Sequence, residues 1–165
     1  MPQKVKRPIR IDGDVAYVPL TKGYEAIIDA ADVPLVDGVN WTALVCQRAV
    51  YAYRKTPGSL VLHRLLVGAS GRMDVDHIDG NGLNNRRSNL RIVTRAQNIQ
   101  NSRLSQANTS GVKGASRFLS AGKWQAKIRK DGKQYHLGLF NCRTAAAVAY
   151  AKASRELHGE FGRTA

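Results

Sequence analysis

The densest chemistry in this chain is the run Val75-Asp76-His77-Ile78-Asp79-Gly80-Asn81, followed by Asn84-Asn85, Asn89-Leu90-Arg91 and Asn98. A carboxylate, an imidazole and several carboxamides therefore fall within 23 positions, from Asp76 to Asn98. Hard oxygen donors beside one titratable base suit a magnesium-type ion and phosphodiester chemistry. His77 is the candidate general base, because a neutral imidazole near pH 7 takes a proton from water attacking phosphorus. A lone histidine is more often structural, but Asp76 directly before it and Asn98 downstream favour catalysis. Asp76 and Asn98 are the candidate ligands of Mg2+, or of another divalent ion such as Mn2+. A carboxylate plus a carboxamide leaves coordination positions for water and phosphate oxygens. Neighbours on a regular strand face opposite ways, so for Asp76 and His77 to share a site the strand must end or twist there.

These side chains need a strand, a tight loop, a second strand and a helix. Val75–His77 reads as a short strand. Asp79-Gly80-Asn81-Gly82 tolerates positive φ and reads as a loop, and Asn89–Val93 as the return strand. Thr94-Arg95-Ala96-Gln97 has the form of a capping box opening a helix that carries Asn98. Asn89 joins His77 in the catalytic set as a carboxamide that ties the loop to the strand and orients the imidazole. Asp79, Asn81, Asn84 and Asn85 read as turn-formers. Arg86, Arg87 and Arg91 are candidates for phosphate contact, with a solvated basic loop as the equal alternative. His63, at the start of a short helix ending at Gly68, either packs there or lies beside the active site.

Upstream, residues 8–55 read as short strands with turns: Ile9 and Ile11, Val15–Val18, Tyr24–Ile28, Trp41–Val45 and Val50–Arg54. Downstream, Gln106–Gly111 is a polar, small-residue stretch that reads as a linker. Beyond it Trp124, Ala126 and Ile128 alternate with Gln125, Lys127 and Arg129. Asp131-Gly132 marks a hairpin turn, and Tyr135 and Leu137 alternate with Gln134 and His136. Ala146, Ala149, Tyr150, Ala153 and Leu157 recur at helical spacing up to Gly159. Small alanines let such a helix lie close on a three-stranded sheet.

The 165 residues carry a formal net charge of +14, with 43% hydrophobic residues, which predicts a folded chain whose partner is a polyanion. The excess is graded. Residues 1–60 hold eight basic and six acidic residues, 61–109 seven and three, and 110–165 eleven and three. The main phosphate-contacting surface is therefore expected in the last third. Two cysteines, Cys46 and Cys142, lack metal-ligand spacing and are expected to be small buried residues, without zinc or a disulfide. The basic N-terminus has no apolar stretch behind it, and no long uncharged apolar run occurs. A cytoplasmic protein with no membrane partner is the expectation. No G-x-S-x-G, P-loop or G-x-G-x-x-G signature occurs, so no small-molecule cofactor is expected.

The segment from His63 to about Arg103 resembles an HNH (His-Me finger) endonuclease of the homing type, on DHIDGN, NN, NL and the later Asn98. That resemblance implies a ββα-metal unit, a divalent ion and DNA hydrolysis leaving a 5′ phosphate and a 3′ hydroxyl. It places Asn89 at the family's middle position, and a similar His-Arg pair at His63-Arg64. Ser110 to about Ala165 resembles an AP2 DNA-binding domain. The matching residues are Gly111-Val112-Lys113-Gly114, Lys123–Arg129, Leu137-Gly138-Leu139-Phe140, Ala145–Tyr150 and His158-Gly159. This second resemblance implies a sheet that enters the major groove, with Lys113, Lys127, Arg129, Gln134 and His136 on the groove face. Ser116 stands where plant members often have Arg, and His136 where they often have Trp, so the plant sequence preference does not carry over.

The expected class is α+β in three parts: a β-rich platform over 1–60, an HNH finger over 61–105, and an AP2-like module over 110–165. The expected activity is a metal-dependent endonuclease held on double-stranded DNA. A non-catalytic DNA-binding regulator with a degenerate finger is the competing reading, and an RNA-binding protein a weaker third.

Overall fold

The computed structural model describes residues 6–47, 49–55 and 58–164. Met1 to Val5, part of the basic N-terminus, lie outside them, as does Ala165. Four small antiparallel sheets and four α-helices make up the described residues. Contacts divide the chain into two units, Met1–Thr94 and Arg95–Ala165.

The first unit opens with a three-stranded sheet, β1 (Arg10–Asp12), β2 (Val15–Pro19) and β3 (Glu25–Asp29), in that order. Strict alternation builds it. Ala16 pairs with Ile28 and Val18 with Ala26, and all four are buried on one face. A short helix α1 (Val33–Val36) leads to a second sheet of β4 (Thr42–Val45), β5 (Val50–Arg54) and β6 (Leu60–Val61). Trp41 is buried ahead of β4, its indole N–H donating to the Val36 carbonyl at 3.1 Å. Helix α2 (Leu62–Leu66) buries Leu62 and Leu66 at i, i+4 spacing. The Arg64 guanidinium then donates to the Met73 carbonyl at 2.7 Å and closes the loop that follows. Strands β7 (Asp74–His77) and β8 (Leu90–Val93) form a two-stranded ladder. Val75 and Leu90 belong to the same apolar cluster as Ala16, Ile28, Trp41 and Leu62. The platform strands and the ladder thus contribute to one apolar cluster.

The second unit begins with the seven-residue helix α3 (Arg95–Asn101). A sheet of β9 (Ala115–Phe118), β10 (Lys123–Lys130) and β11 (Lys133–Phe140) follows, with β10 central. Asp131 (φ 49°) and Gly132 (φ 76°) both adopt positive φ, the turn that matches strand twist in a two-residue hairpin. Helix α4 (Arg143–His158) lays Ala146, Tyr150 and Ala153 against Ala126 and Ile128, as its spacing predicts. Two sequence expectations change here. Both cysteines are free and exposed rather than buried, and Cys142 caps α4, with its Sγ accepting from the Ala145 N–H. The stretch 106–111 is a bonded turn rather than an open linker. Asn108 Nδ2 and Ser110 Oγ both donate to the Val112 carbonyl, at 3.1 and 2.8 Å.

Gly114 sits at φ +69°, where an added Cβ would lie 2.0 Å from the Tyr150 ring and 2.8 Å from the Lys127 carbonyl. Gly114→Ala is therefore expected to cost about 1–3 kcal/mol from overpacking. In a unit of this size each kilocalorie lowers its melting temperature by about 4–8 °C. Thermal unfolding of the variant checks this; an unchanged transition contradicts it.

Candidate active site

His77 is the last residue of β7, and its register partner is Leu90. Asp76, one residue earlier, pairs across the ladder with Arg91 and is bonded to it, Arg91 Nε and Nη2 donating to Asp76 Oδ2 at 3.0 and 2.9 Å. Both carboxylate and guanidinium are largely buried. The neighbours thus follow strand alternation and reach different partners, and the ladder ends at His77, where a change of direction was needed.

His77 is only 6% exposed. Its Nε2 lies 3.3 Å from Asn85 Oδ1. Asn85 is 0% exposed and is fixed at three points. Its N–H donates to the Ile27 carbonyl (2.7 Å), its Nδ2 to the Leu83 carbonyl (2.9 Å), and its Oδ1 faces the imidazole. Rotating the carboxamide would set Oδ1 against the Leu83 oxygen, so the orientation is determined by the network. A carboxamide oxygen can only accept. Neutral His77 therefore carries its proton on Nε2 and keeps the lone pair on Nδ1.

Two further rings flank the imidazole. His63 lies 5.0 Å away between centroids at 89°, and Tyr51 lies 5.9 Å away. Tyr51 is itself backed by Gly82, where an added Cβ would fall 2.6 Å from its ring. The sequence left two readings of His63 open. The structure places it on α2 and also beside His77. Burial, then the His77 and Arg64 charges, push His63 down to about 3. Burial pushes His77 below its ordinary value of 6.5 too. The Asn85 hydrogen bond and the Asp79 and Asp76 charges oppose that shift without cancelling it. Both imidazoles are neutral at physiological pH.

Asn89 does not touch the His77 ring. Its Nδ2 donates to Asp79 Oδ1 (3.0 Å) and the Asn84 carbonyl (2.8 Å), and its Oδ1 accepts from the Asp79 N–H (3.0 Å). It ties the loop to the strand, as expected, but the partner of the imidazole is Asn85. Asp79 is the loop's other hub, also accepting from the Asn81 N–H and Asn84 Nδ2 at 2.7 and 2.8 Å. Burial pushes its carboxyl up, but these hydrogen bonds and His77 outweigh that and hold it below the usual range.

Arg86 and Arg87 are both engaged with acids of the first sheet and the turns beside it. Arg86 pairs with Asp29 (2.8 Å) and Asp14 (2.6 Å). Arg87 grips the buried Asp32 with two nitrogens, Nη2 at 2.8 Å, and its N–H donates to Asp29 at 2.8 Å. With a parallel bridge between Ile27 and Asn84, residues 83–87 are sewn to the outer edge of β3 and to the turn after it. This is why Asn85 is buried. Asn84-Asn85 reads as a turn, and nothing in its spacing marks one carboxamide as the histidine's partner. The only trace in sequence is that Asp14, Asp29 and Asp32 lie among the six acids of the least basic third.

In the second unit, Lys127 pairs with His136 and Arg129 with Gln134, so four of the five expected groove residues share the sheet face away from α4. Arg129, Gln134 and His136 are exposed and Lys127 is half-buried. Lys113 is elsewhere. Its ammonium donates to the Gln100 and Ser102 carbonyls, both at 2.7 Å. Asn98 is half-buried on α3.

A strand-borne, buried imidazole bonded to a carboxamide is chemically suited to take a proton from water, and comparison with known proteins identifies the family. The family model described as HNH endonuclease matches residues 67–100. The chain is 32% identical over 146 residues to a protein named Uncharacterized HNH endonuclease L560, from Acanthamoeba polyphaga mimivirus, covering 85% of this chain and 74% of that one. It is 37% identical over 89 residues to Protein 3.8 of Escherichia phage T7, covering 54% of this chain and 73% of that one. No solved structure matches. The chain belongs to the HNH endonuclease family, and it is an endonuclease acting on DNA. Among the described residues no helix is long and apolar enough to cross a membrane.

Asn85→Ala is expected to lower the cleavage rate by roughly 10²-fold or more, the usual worth of a positioned general base. It leaves buried partners unpaired and so costs about 1–3 kcal/mol of stability. Single-turnover cleavage on folded variant checks it; an undiminished rate contradicts it.

The lowered histidine values also set a pH dependence. An unfolded histidine takes up a proton below 6.5, while folded His63 resists until about 3. The contribution of these groups to stability is complete above pH 6.5 and lost as pH falls toward 3. With His77 as the candidate base, the acid limb of cleavage is expected to have a midpoint below 6.5. A rate profile with its midpoint above 6.5, or a melting temperature that rises on acidification below 6.5, contradicts this.

Proposed function

We propose that this endonuclease is a divalent-metal-dependent, homing-type hydrolase of double-stranded DNA, with a ββα-metal finger and a C-terminal AP2-like module that holds the duplex. The observation that carries the reading is the buried His77 imidazole, with Nε2 bound to Asn85 and Nδ1 left as the base. His77 Nδ1 takes a proton from water as the water oxygen bonds to phosphorus. The bond from phosphorus to the 3′ oxygen breaks, and that oxygen departs and is protonated. The products are a 5′ phosphate and a 3′ hydroxyl. Asn85 holds the ring in its tautomer, and Asn89 with Asp79 holds the loop that carries Asn85.

Asp76 and Asn98 are the proposed ligands of Mg2+ or Mn2+. Among the described residues no three His, Cys, Asp or Glu side chains are grouped to hold a metal. Hard oxygen donors of these types suit a loosely held magnesium that keeps waters and takes up phosphate oxygens, rather than an all-protein cage. When bound, the ion stabilises charge on the phosphate and the leaving oxygen. Arg91 orients Asp76 on the ladder.

Duplex binding is assigned to the outer face of β9–β11. Lys127, Arg129, Gln134 and His136 stand together there, in the third of the chain with the largest basic excess.

The test is supercoiled DNA with and without Mg2+, using the native chain, His77→Ala, and a Lys127→Ala/Arg129→Ala double variant. The native chain is expected to cut only with metal. His77→Ala abolishes cutting at unchanged duplex affinity, and the double variant loses affinity and about 1.8 in the log–log salt slope, about 0.9 per phosphate contact. Full activity of His77→Ala sinks the mechanism. Duplex binding without cleavage by the native chain identifies a DNA-binding regulator instead.

A further inference from the structure

Helix α3 has two turns, and Asn101 is its one fully buried residue. A helix this short is not stable by itself in water, so its position is set by what grips it. At its C-terminal end the Ile99 carbonyl accepts from the Ser102 N–H and Oγ, and the half-buried Lys113 ammonium lies 2.7 Å from the carbonyls of Gln100, in the last turn, and Ser102, just past it, where a cation also meets the negative end of the helix dipole. Burial, then Arg163, lowers the Lys113 pKa, the mark of a lysine drawn out of water for its contacts.

Lys113 is in turn anchored. The adjacent Gly114 carbonyl accepts from the Lys127 N–H at 2.8 Å, and Gly114 is wedged against the Tyr150 ring. On the other side, Ser110 Oγ donates to the Val112 carbonyl. A continuous set of contacts therefore runs from β10, whose Lys127 side chain belongs to the assigned DNA face, through Gly114 and Lys113 to α3. That helix carries Asn98.

We propose that Lys113 is a positioning residue of the nuclease: it hangs α3, and with it Asn98, from the DNA-binding sheet. The proposal rests on the reading of Asn98 as a metal ligand. It also moves Lys113 from the phosphate-contacting set, where the AP2 resemblance would put it, to the support of the helix. Within the C-terminal unit Lys113 then supports the helix that carries the proposed ligand.

The experiment uses full-length Lys113→Met, which keeps the stem and deletes the ammonium. Lys113→Arg restores donors, and Asn98→Ala and Lys127→Ala are comparators. Single-turnover cleavage at saturating DNA, Mg2+ titration, duplex affinity and amide hydrogen exchange are read on each. Lys113→Met is expected to cut about 10–100-fold more slowly and to need more Mg2+ for half-maximal rate. Its duplex affinity stays within about twofold, and the α3 amides exchange about tenfold faster or more while β10 and β11 amides keep their protection. Lys113→Arg recovers most of the rate and the protection. Two results overturn the proposal: loss of affinity like that of Lys127→Ala with a normal rate at saturating DNA, or unchanged rate and exchange. Normal cleavage by Asn98→Ala sinks the ligand reading and the catalytic part of this proposal with it, while the exchange measurement decides the tether by itself.

Discussion

One buried hydrogen bond, from His77 Nε2–H to Asn85 Oδ1, is the contact that much of the N-terminal unit is built to hold. It determines which imidazole nitrogen keeps a lone pair. It survives because Asn85 has no freedom: its backbone is bonded to Ile27, its amide to Leu83, and its side chain is sealed from water. An open sheet edge is normally a liability. Here the free edge of β3 is used to seat the loop that carries the histidine's partner, and Arg86 and Arg87 lock that seat onto Asp14, Asp29 and Asp32. The β-rich segment therefore holds the histidine's partner in place and shares a core with the strand that carries His77.

The positive charge of the chain serves two different ends. In the loop after the active-site strand it is spent internally, against the acids of the first sheet. On the outer sheet face of the second unit Lys127 and Arg129 remain available to a polyanion. Lys113 is a third case, a cation used to hold a helix end. The net charge of +14 alone does not separate these uses, because a guanidinium bonded to a buried aspartate and one facing solvent count the same.

What was legible in the sequence was local. The alternation of Trp124 to Arg129, the positive-φ pair Asp131-Gly132, the alanine face of α4 and the strand–loop–strand order around His77 all come from interactions a few residues apart, and each is present. What was not legible depends on distant pairing. Asn85 is singled out only by Ile27, Arg86 by Asp29, and Lys113 by Gln100 and Ser102. Asn84 and Asn85 are the same residue type in the same turn, yet one bonds Asp79 and the other the imidazole. The cysteines misled for a related reason: a general preference for burial gave way at Cys142 to the local demand for a helix cap.

The central claim, that Asn85 forces the neutral tautomer protonated on Nε2, has a direct measurement. Long-range 15N–1H spectra of uniformly 15N-labelled protein at pH 7.5 report the protonation of each imidazole nitrogen. The account predicts a His77 Nε2 shift of the protonated type and a Nδ1 shift of the unprotonated type, with the pattern disturbed in Asn85→Ala. A protonated Nδ1 at His77 in the native chain would contradict it.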